Sequence, residues 1–319
     1  MKAAVYDVNG PPSVLCYAEV PDAVPGPGEV LVAVEAISLE GGDAITRSRR
    51  APSAPGFVPG YQAGGRVVGL GAGVTRFQVG DRVATFGREG SHAALRAVGE
   101  DTAWNVPDGL DMQAAATIPV TFGTADDALF EFGGLEAGET VLITGASGGV
   151  GIAAVQLARA AGATVIATGS GAARLGRLAE LGAHHVLDYR TDDIGAKARA
   201  LTDGRGVELV VDMVGANFDG LQSALAYRGR LVFVGAAGGG TPNVDIMRLL
   251  VNNQSLHGMM FGQEIHTERA RALIDRHMAQ AAAGLLRMPV DRVFALSDAA
   301  AAHAHLESGH PFGRVLMVP

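Results

Sequence analysis

The chain has 319 residues, 48% hydrophobic and 18% charged, which excludes a disordered polypeptide and allows one large domain or two of ordinary size. Twenty-five Lys and Arg against 33 Asp and Glu leave a formal charge of −8. The densest basic cluster is Arg47, Arg49 and Arg50, so nucleic acid and anionic membrane surfaces are excluded as partners.

From the N-terminus, short β-type runs alternate with Pro- and Gly-rich turns: AAVYDV, GEVLVAVEAIS (28–38), AGGRVVGLG (63–71) and DRVATF (81–86), separated by PDAVPGPG and APSAPGFVPG. This pattern predicts a small, mostly antiparallel β domain over 1–120. The start, MKAAVYDVNG, lacks the apolar core of a secretory signal. The one cysteine, Cys16, rules out an internal disulfide, a Cys-rich zinc site and a Cys-x-x-Cys pair, and fits a reducing cytoplasm. Lying in VLCYAEV, it is expected to pack as a small apolar group.

Beyond residue 120 strand and helix patterns take turns. Strands are predicted at 140–146, 163–169, 185–189, 207–214, 230–236 and 255–261, with helices at 148–162, 172–181, 192–202, 217–226 and 245–253. The strands are continuous apolar runs rather than alternating ones, as when helices cover both faces of a parallel sheet. The fold class is therefore α/β, with a doubly wound six-stranded Rossmann sheet over 121–261. Residues 140–158 are uncharged and long enough to span a bilayer, but the glycines at their centre break that pattern. Past 262 come a helix (267–284), a short β-type run, a helix (298–307) and a terminal strand GRVLMVP, expected to return to the N-terminal domain. His303 and His305, two apart on a helix, do not share a face, so with His310 they make no joint metal site. Asp126 and Asp127 are expected at a helix start, complementing its dipole.

The chemistry-bearing motif is Ala146-Ser147-Gly148-Gly149-Val150-Gly151 at a strand-to-helix turn. Gly148 lets backbone approach a pyrophosphate, Gly151 lets the helix pack closely on the strand, and the helix N-terminus supplies free N–H groups. Ala146 stands in the first position, so the strict G-x-G-x-x-G is not met. The second strand ends Thr168-Gly169-Ser170-Gly171, with no acid between Ile152 and Ala179 to hold a ribose 2′-OH. Arg174 follows instead, and a guanidinium there pairs with a 2′-phosphate, pointing to NADPH.

These residues also carry a resemblance. GEVLVAVEAISLEGGD (28–43), GYQAGGRVVGLGAGVTRFQVGDRV (60–83), AAATIPVTFGTADDAL (114–129), VLITGASGGVGIAAVQLARAAGATVIAT (141–168), VDMVG (211–215), GRLVFVG (229–235) and the terminal GRVLMVP are similar to the zinc-independent medium-chain dehydrogenase/reductases of the NADPH:quinone oxidoreductase, zeta-crystallin-like kind. The resemblance implies a GroES-like catalytic domain, made of 1–120 and the return over 262–319, with the Rossmann domain between. It implies reduction of a quinone or α,β-unsaturated carbonyl by hydride from NADPH, and a homodimer formed edge to edge near 255–261. It places Ser170, Arg174 and Tyr189 at the 2′-phosphate, Gly148, Gly149, Val150 and Gly151 at the pyrophosphate, and Thr124 near the nicotinamide. Val214 and Gly215, with Phe233, Val234 and Gly235, line the same trough.

The departures lie in the substrate half. Where zinc alcohol dehydrogenases have Gly-His-Glu, this chain reads Gly60-Tyr61-Gln62, so no metal is expected. Glu40 stands where quinone reductases often carry Asn, and Ala44-Ile45-Thr46 where they often carry a Tyr. Glu40, Tyr61, His92 and Thr121 are the polar residues that the resemblance turns toward substrate. A carboxylate presented at Glu40 would disfavour anionic substrates such as acyl-CoA thioesters. Two alternatives stay open: an enoyl-thioester reductase working in trans, and a low-turnover NADPH-binding structural or sensor protein.

Overall fold

The computed structural model describes residues 1–239, 241–309 and 311–319; His310 therefore lies outside the described residues. The chain divides into two compact units, Met1–Val120 with Glu264–Pro319, and Thr121–Gln263.

The first unit begins with β1 (Lys2–Val5) and β2 (Cys16–Glu19), an antiparallel pair. Cys16 is exposed on this two-stranded edge, which corrects the expectation that it packs as an apolar group. Two strands have too little surface to bury both of their faces. The long strand β3 (Glu29–Ser38) buries Val30, Val32 and Val34 on alternate positions, as a half-covered sheet requires. Next comes α1 (Gly41–Arg49), which hydrophobic periodicity did not reveal because GGDAITRSR has no apolar stripe. Its ends hold it: Asp43 accepts from the backbone N–H of Glu40 at 2.8 Å, and Arg47 and Arg49 sit in the last turn, against the negative dipole end. Then follow β4 (Gln62–Leu70), β5 (Arg82–Phe86), β6 (Leu95–Gly99), β7 (Ala103–Asn105) and α2 (Met112–Ala115).

The second unit opens in α3 (Ile118–Asp126), which runs into a π turn over Asp127–Glu131. Asp126 and Asp127 are thus buried inside a helical run, not placed at a helix start. Six parallel strands follow: β8 (Thr140–Ile143), β9 (Thr164–Gly169), β10 (His185–Asp188), β11 (Val207–Asp212), β12 (Leu225–Phe233) and β13 (Ser255–Gly258). Between them lie α4 (Gly149–Ala160), α5 (Ala172–Glu180), α6 (Ile194–Ala200), α7 (Phe218–Ala224) and α8 (Ile246–Asn252), with α9 (Phe261–Glu264) after the last strand. The expected sixth strand is shorter than 255–261, because helix begins at Phe261. The spatial order is β10-β9-β8-β11-β12-β13, so the winding reverses between β8 and β11. This is the strand order of a dinucleotide-binding sheet, whose ligand crevice opens where the order reverses. Leu142, Ile166, Val210 and Leu231 pack across the sheet into one core.

The chain then returns to the first unit through α10 (Glu268–Ala282), β14 (Val290–Ala295), α11 (Ala299–Glu307) and β15 (Arg314–Val318). The terminal strand pairs antiparallel with β3, Leu316 opposite Ser38 and Met317 opposite Ile37, and parallel with β14. The completed seven-stranded sheet runs β14-β15-β3-β4-β5-β7, with β6 also on β3. Val315 and Met317 join Ile37, Leu39 and Ala63 in its core.

The return also closes a buried imidazole pair. His92 Nε2 and His303 Nε2 lie 3.0 Å apart, and Ser91 Oγ is 3.2 Å from His92 Nδ1. Gly60 makes room: its φ is +113°, and a Cβ there would sit 2.0 Å from Ser91 Oγ and 2.1 Å from His92 Nδ1. His305, two residues from His303, turns outward to Asp291 at 2.7 Å. Burial, then the neighbouring His303 and Arg96, holds His92 well below the usual imidazole range. Burial, then Arg47, holds His303 at about 3. Both rings fold neutral, while the unfolded chain protonates near pH 6.5. Their stabilisation is therefore complete above about pH 6.5 and is lost as the pH falls toward 3, at up to about 1.4 kcal/mol per pH unit for each ring. Arg96, lowered by burial to about 10, stays protonated throughout that window. His303→Asn should thus cost most at neutral pH, and the gap in urea midpoint from wild type should narrow as the pH drops from 7 to 4.5. A gap independent of pH would show that the pair is not folded neutral.

Candidate active site

In the second unit, the sequence from β8 into α4 builds a backbone cradle. Gly145 takes φ +58° and turns the chain at the strand end. This is the glycine that the strict motif missed, one residue ahead of Ala146. Ala146 is buried, its N–H donating to Thr168 O at 3.1 Å, which ties the turn to β9. Ser147 is half-buried and Gly148, the N-cap of α4, is exposed. A Cβ at Gly148 would meet nothing nearer than 3.4 Å, so the approach there is open. A Cβ at Gly151 would lie 2.5 Å from Ala146 Cα and from Gly145 O, so only glycine lets the helix sit this close to the turn. The N–H groups of Gly149, Val150 and Gly151, in the first turn, have no carbonyl partner within the helix. They and the helix dipole make an anion site.

Across the reversal point, Thr144 and Asp212 join the ends of β8 and β11. Thr144 Oγ1 donates to Asp212 Oδ1 at 2.5 Å and accepts from Met213 N–H at 3.2 Å. Asp212 also accepts from the N–H groups of Val214, at 2.9 Å, and Gly215, at 3.1 Å. Burial pushes the Asp212 carboxyl up, opposed by these donors. Neither Thr144 nor Asp212 stood out in the sequence, yet they fix the backbone of Val214 and Gly215. Beside them β12 ends at Phe233, in register with Asp212, and Val234 N–H donates to Asp212 O at 2.8 Å. Phe233 meets Phe218 edge to face, and Val234 and Gly235 are half-buried. Thr121 and Thr124 lie one turn apart on α3, both buried.

At the end of β9, Ser170 is buried and Arg174 folds back over it. Arg174 Nε donates to Ser170 O and its Nη2 to Ser170 Oγ, both at 2.9 Å. Tyr189 is exposed at the end of β10, its N–H on Gly169 O at 3.1 Å. The parallel register also brings in an acid that the linear reading had not counted. Asp188 lies opposite Gly169 and accepts from the N–H groups of Gly171 and Arg190, both at 3.0 Å. Those two donors, then Arg190 and Arg174, hold its carboxyl below the usual range. Its signal was the strand pairing, not the spacing from the glycine motif.

In the first unit, Glu40 is not a loop carboxylate open to solvent. It is buried at the start of α1 and accepts from Arg314 Nη2 and Gln62 Nε2. Ser38 Oγ, 3.4 Å from Glu40 Oε1, accepts from Arg314 Nε at 3.1 Å and Gln62 Nε2 at 3.2 Å. Gln62 Oε1 in turn takes the N–H of Val120 at 3.0 Å. Burial pushes the Glu40 carboxyl up, with Arg314 pulling against it. Asp43, in the same turn, is pushed up to about 7 by burial, with the Glu40 charge adding to the rise. Tyr61 is half-buried, its hydroxyl 3.1 Å from Thr46 Oγ1 and its ring edge to face with Phe86. His92 is sealed against His303 as described above.

The GroES-like domain of alcohol dehydrogenases matches residues 26–114, and the zinc-binding dehydrogenase family matches 149–278. The quinone oxidoreductase of Pseudomonas aeruginosa is 34% identical over 325 aligned positions, covering 100% of this chain and 99% of that protein. The chain belongs to the quinone oxidoreductase family of the medium-chain dehydrogenase/reductases. The crystal structure of Escherichia coli quinone oxidoreductase complexed with NADPH superposes with a TM-score of 0.94 at 27% identity, covering 100% of both chains. The phthioceranic/hydroxyphthioceranic acid synthase of Mycobacterium tuberculosis is 34% identical over 300 positions, 92% of this chain but 14% of the synthase.

Among the described residues, no group of three or more His, Cys, Asp or Glu is arranged to hold a metal ion. The Glu40–Arg314 pair bridges the start of α1 to the terminal strand. Removing one partner of a buried ion pair costs about 3–5 kcal/mol, because the other charge stays buried and uncompensated. Arg314→Met should lower the urea-unfolding free energy by that amount, and Glu40→Gln with Arg314→Met together should recover much of it. A cost below about 1 kcal/mol for the single variant would mean that the pair is hydrated.

Proposed function

We propose that this chain is an NADPH-dependent reductase that transfers hydride to a quinone or an α,β-unsaturated carbonyl without zinc. The observation that carries this reading is the backbone cradle of Gly145 to Gly151 at the reversal point of the sheet. It fits a pyrophosphate: the approach at Gly148 is open, and the first-turn N–H groups of α4 need acceptors. When bound, NADPH supplies the hydride. Gly149, Val150 and Gly151 would hold its pyrophosphate, Ser170, Arg174 and Tyr189 its 2′-phosphate, and Thr124, Val214, Gly215 and the Phe233–Gly235 strand end its nicotinamide side. Residues 1–120 and 262–319 would supply the substrate side, and 121–261 the cofactor side.

The zinc-free part of the proposal rests on Tyr61 and Gln62. A phenol packed on Phe86, and an amide spent on Glu40, Ser38 and Val120, leave no ligand there. The exposed thiol of Cys16 supports a reducing, cytoplasmic location. Exposed Ile246, Met247, Leu250 and Val251 on α8, the helix that precedes the outer strand β13, support a homodimer; a monomer by light scattering at micromolar concentration would rule it out.

A second reading, an enoyl-thioester reductase, gains support from the burial of Glu40. That carboxylate is compensated by Arg314 and presents no charge to an acyl-CoA. The stretch shared with the phthioceranic/hydroxyphthioceranic acid synthase favours it further. NADPH oxidation assayed with 9,10-phenanthrenequinone, an alkenal and crotonyl-CoA separates the readings. Turnover of none of them, with tight NADPH binding, would leave the sensor alternative standing. Stoichiometric zinc in the purified protein would overturn the zinc-free assignment.

Cofactor choice gives a sharper expectation. A charge-assisted contact of Arg174 with the 2′-phosphate is worth about 1.5–3 kcal/mol, and partial exposure favours the lower end. Arg174→Ala should therefore weaken NADPH about tenfold and leave NADH almost unchanged, as read from dissociation constants at one ionic strength. Equal weakening of both would remove the 2′-phosphate from this site. Asp188, kept ionised by the Gly171 and Arg190 N–H groups and within reach of the Arg174 charge, weakens that contact and also favours the lower end of the range.

A further inference from the structure

The reductase reading leaves open which group gives the proton once hydride has been delivered. The four side chains expected near substrate are in unequal states. Glu40 is closed by Arg314, Gln62 and Ser38. His92 is fully buried with both ring nitrogens engaged, one by Ser91 and one by His303. Thr121 is fully buried on α3 and already has a partner. Tyr61 differs from all three: its side chain keeps solvent exposure, and its hydroxyl meets another hydroxyl.

The surroundings of Tyr61 hold that hydroxyl in one place. Gly42 lies against the ring, where a Cβ would be 2.3 Å from Cε2 and 3.0 Å from Cζ, so any larger residue would displace the ring. Phe86 packs edge to face, with centroids 6.2 Å apart. Thr46 lies four residues after Gly42 on α1, with its Oγ1 3.1 Å from Tyr61 Oη. A helical Thr commonly bonds back to the carbonyl one turn earlier. Thr46 does not; Tyr61 is its side-chain partner. The Thr46 hydrogen is therefore available to point at Tyr61 Oη, which leaves the Tyr61 hydrogen free to point elsewhere.

We propose that Tyr61 is the general acid of enone reduction in this chain and that Thr46 is its positioning residue. The assignment rests on the reductase reading above. Hydride adds to the β carbon of the enone, and the displaced π pair moves onto the carbonyl oxygen, giving an enolate. The enolate pair then forms a C–H bond at the α carbon with the proton of Tyr61 Oη, whose O–H bond breaks. The resulting phenolate is held by the hydrogen bond from Thr46 and is reprotonated by water. A quinone that accepts hydride becomes a hydroquinone oxyanion, itself an aryloxide. A phenol gains little by protonating another phenol's anion, and water serves. Tyr61 thus matters for enones and much less for quinones.

The test is the ratio of alkenal to 9,10-phenanthrenequinone turnover at saturating NADPH, for wild type, Tyr61→Phe, Thr46→Val and Thr46→Ser. NADPH dissociation constants and melting temperatures are measured beside it, as readouts independent of turnover. General acids contribute about 10²–10⁴-fold. Tyr61→Phe should lower the ratio about 100-fold or more through kcat, with NADPH affinity and melting temperature unchanged. Thr46→Val should lower it roughly tenfold, the scale of one hydrogen bond to a charged oxygen. Thr46→Ser should restore it. If wild type reduces neither substrate, the reductase reading fails and takes this assignment with it. If wild type reduces both and Tyr61→Phe keeps its ratio, the acid assignment fails alone. Failure of serine to restore the ratio would remove Thr46 from the mechanism.

Discussion

A sheet buried on both faces can offer chemistry only at its strand ends, and the nucleotide-binding half of this protein follows from that constraint. Through the middle of β8, β9 and β11 the backbone groups are paired in the ladder, and Leu142, Ile166 and Val210 are buried in packing. Polar groups become available where strands stop. There the chain has to turn sharply, hence Gly145, and α4 has to begin close by, hence Gly151. The unpaired N–H groups of the first turn then lie at the point where the strand order reverses. Thr144 and Asp212 complete the arrangement by tying two strand ends together and aiming the backbone of Val214 and Gly215.

The first unit solves a different problem, that of burying charge. Its sheet is closed by the returning strand β15, which carries Arg314 into the interior beside Glu40. Arg47 is likewise fully buried, donating to Gly10 O and to Glu307 on α11. Each buried cation draws an acid or carbonyl from a distant part of the chain, because an unpaired charge in the interior is far more costly than a paired one. These pairs hold α1, and with it Thr46, while Gly42 leaves space for the Tyr61 ring. The charged residues near the expected substrate side therefore serve chiefly to hold position.

Much of this was legible in the linear chain because it depends on local patterns. Continuous apolar runs alternating with helical segments define the parallel sheet, since strands covered on both faces need no alternation. The glycine-rich turn is legible because close backbone approach excludes a Cβ. The elements that escaped are polar or short. Helix α1 has no apolar stripe, its ends being held by Asp43 and by arginines in the last turn. Cys16 sits in a sequence that looks like a core strand but forms an exposed two-stranded edge.

The sequence by itself determined the α/β class, the glycine-rich turn ahead of α4, and the lack of a cysteine-based metal site. All three follow from which residue types occur within a few positions of one another. Only the tertiary structure decided the partners of the charged and titratable groups. Glu40 and Arg314 are 274 residues apart, and His92 and His303 are 211 apart. Asp188 reaches the end of β9 through a neighbouring strand. Whether a carboxylate is exposed or sealed, or an imidazole charged or neutral, depends on what the fold packs against it. No local pattern records that, because burial and pairing are properties of the assembled interior.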